Sequence, residues 1–68
     1  LDTTAIKKLM ESRGIQPSYQ RIQIYKYLIN HPVHPTAKMI YKALSKSIPT
    51  LSKATVYNTL STLLENGL

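Results

Sequence analysis

The only two glycines of this 68-residue chain, Gly14 and Gly67, share one arrangement. Each stands four residues after an apolar position and one before another: Met10 and Ile15 flank the first, Leu63 and Leu68 the second. That is the spacing of a Schellman ending. Glycine takes the C′ position, where φ is positive, and the side chains at C3 and C″ meet. Both glycines therefore predict helix stops. The four prolines, Pro17, Pro32, Pro35 and Pro49, break what lies between, because proline lacks an N–H and pushes its predecessor out of the α region. Only short helices fit between these marks.

Four helical segments are expected. In the first, Thr3 or Thr4 caps, Ile6, Leu9 and Met10 form an apolar stripe, and Gly14 ends it. The second follows Pro17 with Ser18 as N-cap and buries Ile24, Tyr25 and Leu28, with Ile29 or Ile22 at the flank. It ends at His31-Pro32. Residues 32–35 form a stiff loop, since two prolines fix φ there. Thr36 caps the third segment, in which Ala37, Ile40, Tyr41 and Leu44 recur at i, i+3, i+4, i+7, and Ser47-Ile48-Pro49-Thr50 breaks it. Ser52 caps the fourth. No run has the period-2 pattern of a strand, and no internal repeat appears. This predicts a single all-α domain over residues 1–68 with a helix-turn-helix core. The third segment would position the fourth, a helix of about 14 residues and about 21 Å, long enough to lie in a major groove.

The fourth segment has two dissimilar faces. Val56, Leu60 and Leu63, with Leu64 alongside, form the core-facing stripe. The other face carries Lys53, Thr55, Tyr57, Asn58, Ser61 and Thr62. A solvated helix usually fills that face with Glu and Lys, which favour helix; here poorer helix formers take the place. Base edges in a major groove are read by Asn and by Ser or Thr hydroxyls, and thymine methyls accept apolar contact. The residue types thus point to a contact surface.

Charge agrees with that. Nine Lys and Arg against three Asp and Glu give a formal net charge of +6, which favours a polyanionic partner, most simply nucleic acid. No apolar run approaches the roughly 18 residues needed to span a membrane, and the first residues do not form a secretory h-region. Cysteine is absent, which removes disulfides and thiolate metal sites and fits a cytoplasmic protein. Paired acids, a Ser-His-Asp grouping and a Gly-rich phosphate loop are all missing, so an enzyme is not expected. Leu1 reads as a trimmed end, and Leu68 as another.

Individual residues admit two readings each. Tyr57 and Asn58 face bases, or form a half-buried rim and a solvated polar group. Ser52, Lys53 and Thr55 offer first-turn groups to phosphate oxygens, or Ser52 only caps. Arg21, beside Gln20, clamps a phosphate or forms a surface ion pair; three acids cannot partner nine bases, which favours the clamp. Lys38, Lys42 and Lys46 form a ridge that is more simply a solvated face. Tyr25 and Tyr41 belong to apolar stripes rather than stacking platforms, and His31 is surface. His34, on its residues alone, is a loop histidine.

The runs Tyr19-Gln20-Arg21, His34-Pro35-Thr36-Ala37, Ile40-Tyr41 and Ala54-Thr55-Val56-Tyr57-Asn58 closely resemble the ferric uptake regulator family, and within it the peroxide-responsive branch. The resemblance covers essentially the whole chain in order and spacing. It implies the N-terminal winged-helix DNA-binding domain of a dimeric, metal-dependent transcriptional repressor of iron or peroxide-stress genes. A wing hairpin would follow Leu68, and a C-terminal domain would supply the homodimer contact, a structural Zn and most ligands of a regulatory Fe(II), Mn(II) or Zn(II). The fragment alone would bind no metal. The resemblance also implies that Tyr57 and Asn58 contact bases, and that His34 is the one N-terminal ligand of the regulatory metal. Two positions depart from the family. Ser18-Tyr19 replaces the frequent Thr-Pro, and Gln16 stands where many members carry a basic minor-groove probe. Alternatives are a member tuned to zinc or another metal, and a helical protein-interaction module using Tyr57 and Leu64 as anchors.

Overall fold

Every helix begins at a side-chain oxygen that accepts a backbone N–H. The computed structural model describes residues 2–31 and 33–68. Within them run α1 (Thr3–Ser12), α2 (Tyr19–Asn30), α3 (Ala37–Leu44) and α4 (Lys53–Glu65), and no strand. Ser18 accepts from the Arg21 N–H at 3.2 Å, Thr36 from Met39 at 3.1 Å and Ser52 from Thr55 at 3.0 Å, as the sequence predicts. At α1 the cap is Asp2, which accepts from Ala5 at 2.8 Å, rather than Thr3 or Thr4. A carboxylate caps as well as a hydroxyl and also offsets the positive helix end. Thr3 becomes the first helical residue, and its hydroxyl accepts from Lys26 Nζ on α2 at 2.6 Å.

Both glycine stops take the expected form. Gly14 has φ 75° and Gly67 φ 79°. The Ile15 N–H reaches Met10 O at 2.9 Å and that of Leu68 reaches Leu63 O at 2.8 Å, while Gly14 and Gly67 bond Glu11 O and Leu64 O. The second helix ends at Asn30 with His31 as cap. Pro32 lies outside the described residues, and with it the rigidity expected of the 32–35 loop; Leu1, expected to be a trimmed end, lies outside them too.

α2 packs against each of the other three helices, and α3 packs on α4. The core divides into two clusters. One gathers Ile6, Met10, Ile15, Ile22 and Leu63; the other gathers Ile24, Ile40, Ile48, Leu51 and Val56, and Leu28 touches both. α2 therefore buries two faces, since Ile22 and Ile24 are two residues apart and point to different clusters. Of the expected stripe Ile24 is buried while Tyr25 and Leu28 are half-buried; of the two flank candidates Ile22 is buried and Ile29 is 39% exposed. Two further core residues, Ile48 and Leu51, come from the α3–α4 connection. The Ile48 N–H bonds Leu44 O at 2.9 Å and that of Leu51 bonds Ile48 O at 3.0 Å, so the connection is pinned and fixes where α4 begins.

α4 corrects one reading. Its buried stripe is Val56, Thr59 and Leu63, with Leu60 half-buried, and Leu64 is 80% exposed. Spacing explains the exchange. Residues 56, 59, 60 and 63 fall on one helix face, whereas residue 64 lies beyond its edge.

Candidate nucleic-acid interface

The outward face of α4 is built by the same turn geometry that buries Val56, Thr59 and Leu63. Lys53, Ala54, Tyr57, Asn58 and Ser61 are all exposed, Tyr57 to 57%. Ser61 lies one turn on from both Tyr57 and Asn58, so it joins the two in one strip. Two residues read as outward behave differently. Thr62 is half-buried and donates its hydroxyl to Asn58 O at 2.9 Å, a bond within the helix. Thr55 is half-buried, its hydroxyl 2.9 Å from Ser52 Oγ.

Ser52 therefore caps, as the simpler reading holds, and stays exposed at the helix start. Its hydroxyl takes the Thr55 N–H and its carbonyl the Val56 N–H, so the N–H groups of Lys53 and Ala54 precede them at the helix's electropositive end. No acidic residue stands in the first turn of α2, α3 or α4 to offset those ends. The Lys53 ammonium lies over the ring of Tyr41 on α3, 5.7 Å from its centroid.

The start of α2 is drawn to the same end of the molecule. Gln20 Nε2 donates to Thr50 Oγ1 at 3.2 Å, which ties α2 to the segment leading into α4. Arg21, half-buried, donates from Nη1 to Gln16 O at 2.8 Å. With Gln16, Pro17 and Ser18 its guanidinium lines a shallow cleft of about 290 Å³. Tyr19 beside it is 65% exposed. Lys38 and Lys42 are exposed on α3, and Lys46 is exposed in the turn after it, so the three do not share one helix. Sequence reasoning missed Gln20–Thr50 and Lys53–Tyr41, because both join residues that no periodicity relates.

His34 is exposed and stands apart from this strip. It lines a cleft of about 320 Å³ with Tyr25, Leu28, Ile29, His31, Pro35 and Leu68. His31 is also exposed, yet ordered: its ring stacks on Tyr27 at 3.8 Å, and its Nδ1 lies 2.8 Å from Tyr27 O. Among the described residues no three or more His, Asp or Glu gather into a metal-holding group. An imidazole suits a divalent transition ion, but one such ligand leaves most of the coordination shell to other groups. No helix of the described residues is long and apolar enough to cross a membrane.

Comparison with known proteins meets this geometry from another side. The profile of the ferric uptake regulator family matches residues 12–68. The chain belongs to the ferric uptake regulator family. It is 47% identical over 64 residues to the peroxide operon regulator of Bacillus subtilis, an alignment covering 94% of this chain and 43% of that protein. It is 42% identical over 59 residues to the peroxide-responsive repressor PerR of Staphylococcus aureus, covering 87% of this chain and 40% of that one. The chain thus spans about two-fifths of the length of the relatives it matches. No solved structure matches it. Both relatives are named as regulators, in keeping with a family of transcriptional regulators rather than enzymes.

Proposed function

We propose that this chain is the DNA-binding part of a metal-dependent, peroxide- or iron-responsive repressor, and that α4 is its recognition helix. One observation carries the reading. α4 buries Val56, Thr59 and Leu63 while turning Tyr57, Asn58 and Ser61 to solvent, in a domain of formal charge +6. In the major groove Asn58 would pair with adenine N6 and N7, and Tyr57 would lie against a thymine methyl. Ser52, Lys53, Thr55 and Arg21 would hold flanking phosphates, setting register without reading sequence. The Arg21 guanidinium is already oriented by Gln16 O, so it would meet a phosphate pre-aligned.

The helices would form the helical part of a winged helix whose hairpin follows Leu68. Beyond it a C-terminal domain would join two copies, each supplying one recognition helix to a half-site. His34 would be this chain's ligand to a regulatory Fe(II), Mn(II) or Zn(II), the other ligands coming from that domain. The bound ion would lock the angle between the domains, and with it the half-site spacing. The protein would work in the cytoplasm.

Selection of duplexes from a random pool, followed by binding at several salt concentrations, tests the reading. Asn58→Ala should cost about 1–3 kcal/mol of discrimination at one base position and leave the rest intact. Arg21→Ala should weaken all duplexes alike and reduce the salt slope by about one. Should both variants bind selected and random duplexes as the parent does, these roles are wrong. A second reading, docking to another protein, is favoured by Tyr57 and Leu64, exposed to 57% and 80% and seven residues apart on one face. Such docking would depend on salt far less than duplex binding does.

A further inference from the structure

Lys53 opens α4 at a place where a cation is unfavourable, because the helix end carries positive partial charge and no acid stands in the first turn. The residue is exposed, but its ammonium is turned towards α3. It lies 5.7 Å from the ring centroid of Tyr41, inside the range in which an aromatic face attracts a cation. Tyr41 sits on α3 and packs against the cluster of Ile24, Ile40, Ile48, Leu51 and Val56, so its ring is a fixed platform. In helix-turn-helix docking the first helix crosses the DNA backbone while the second enters the groove. With α4 as the recognition helix, the place where Lys53 meets Tyr41 would therefore lie beside a phosphate strand.

We propose that Tyr41 is a positioning residue for DNA binding: its ring holds the Lys53 ammonium beside the phosphates flanking α4. This rests on the reading of α4 as a recognition helix. A lysine has a flexible four-carbon stem, and ordering it on contact costs entropy. Tyr41 does that ordering before the DNA arrives, and it does so across helices. The pair thus couples the packing of α3 to the phosphate contacts of α4.

The test is a double-mutant cycle, with anisotropy of a short fluorescent duplex of random sequence read at several salt concentrations. Tyr41→Leu should weaken binding by about threefold, within what an exposed cation–π contact supplies. It should weaken binding no further in a Lys53→Gln background, and Tyr41→Phe, which keeps the ring, should bind as the parent. Equal losses with and without Lys53, or a loss in Tyr41→Phe, would overturn the proposal. Should Tyr41→Leu not fold, proton NMR of the parent decides instead. The Lys53 side-chain protons should be shifted by the Tyr41 ring current while those of Lys7 are not, and an unshifted Lys53 would overturn the proposal. A parent that binds duplex with no steep salt dependence sinks the recognition-helix reading itself. A parent that does so bind, with an additive cycle, sinks only the role of Tyr41.

Discussion

α1 and α4 end alike and differ in what they show to solvent. Each stops at a glycine of positive φ, and each places its C3 residue, Met10 or Leu63, in the same core cluster. The two ends are even joined, for Arg13 Nη1 donates to Asn66 O at 3.1 Å and to Gly67 O at 3.4 Å. A guanidinium at a helix C-terminus offsets its negative partial charge, so the end of α1 steadies the end of α4. The exposed residues part company. After Thr3 and Thr4 in its first turn, α1 shows Lys7, Lys8, Glu11 and Ser12, among which the straight-chain charged residues favour helix and hydrate easily. α4 shows Lys53 and Glu65 at its two ends and, between them, Ala54, Tyr57, Asn58, Ser61 and Leu64. Folding alone accounts for the first set. The second keeps an exposed tyrosine and leucine in water and gives up helix propensity, which makes sense where the surface has something to touch.

The shared architecture of these helices is where substitution should cost most. Leu63→Ala and Met10→Ala each remove a buried side chain from one cluster and should lose about 2–5 kcal/mol by urea denaturation. Unequal losses, with one near zero, would break the claim that the two helix ends share a core. Next come the dissimilar faces. Tyr57→Ala should weaken duplex binding by about 1–3 kcal/mol with the melting temperature little changed, whereas Glu11→Ala on α1 should leave both nearly as they were. The two glycines separate more finely. Gly14→Ala should cost about 1 kcal/mol, from the left-handed backbone alone, since a Cβ there meets nothing within 4 Å. A Cβ at Gly67 falls 2.6 Å from Arg13 Nη1, so Gly67→Ala should cost more by displacing that side chain from the end of α4. Smallest is Leu64→Ala, which at 80% exposure should change stability by no more than about 0.5 kcal/mol.

What the sequence made legible here is chiefly local. Ser18, Thr36 and Ser52 cap their helices, and both glycines close Schellman turns, because these motifs join residues a few positions apart. The outward placement of Tyr57, Asn58 and Ser61 follows from the 3.6-residue period in the same way. Apolarity misleads where geometry decides: Leu64 is as apolar as Leu63 yet lies beyond the edge of the buried face, on which Thr59 falls. The double burial of α2 was also hidden, since apolar residues on two faces blur a single stripe. Ile48 and Leu51 could not be found by helical period because they lie in a connection. Contacts between distant segments, such as Gln20 with Thr50, leave no pattern in the chain.

The claim that α4's outward strip meets nucleobases is tested most directly by amide NMR of the isotope-labelled chain, titrated with a selected duplex at moderate salt. The amides of Ala54, Tyr57, Asn58 and Ser61 should shift most, those at the start of α2 less, and those of Lys7, Lys8 and Glu11 least. Shifts centred on α1, or a strip on α4 that does not respond while the duplex binds elsewhere, would contradict the account.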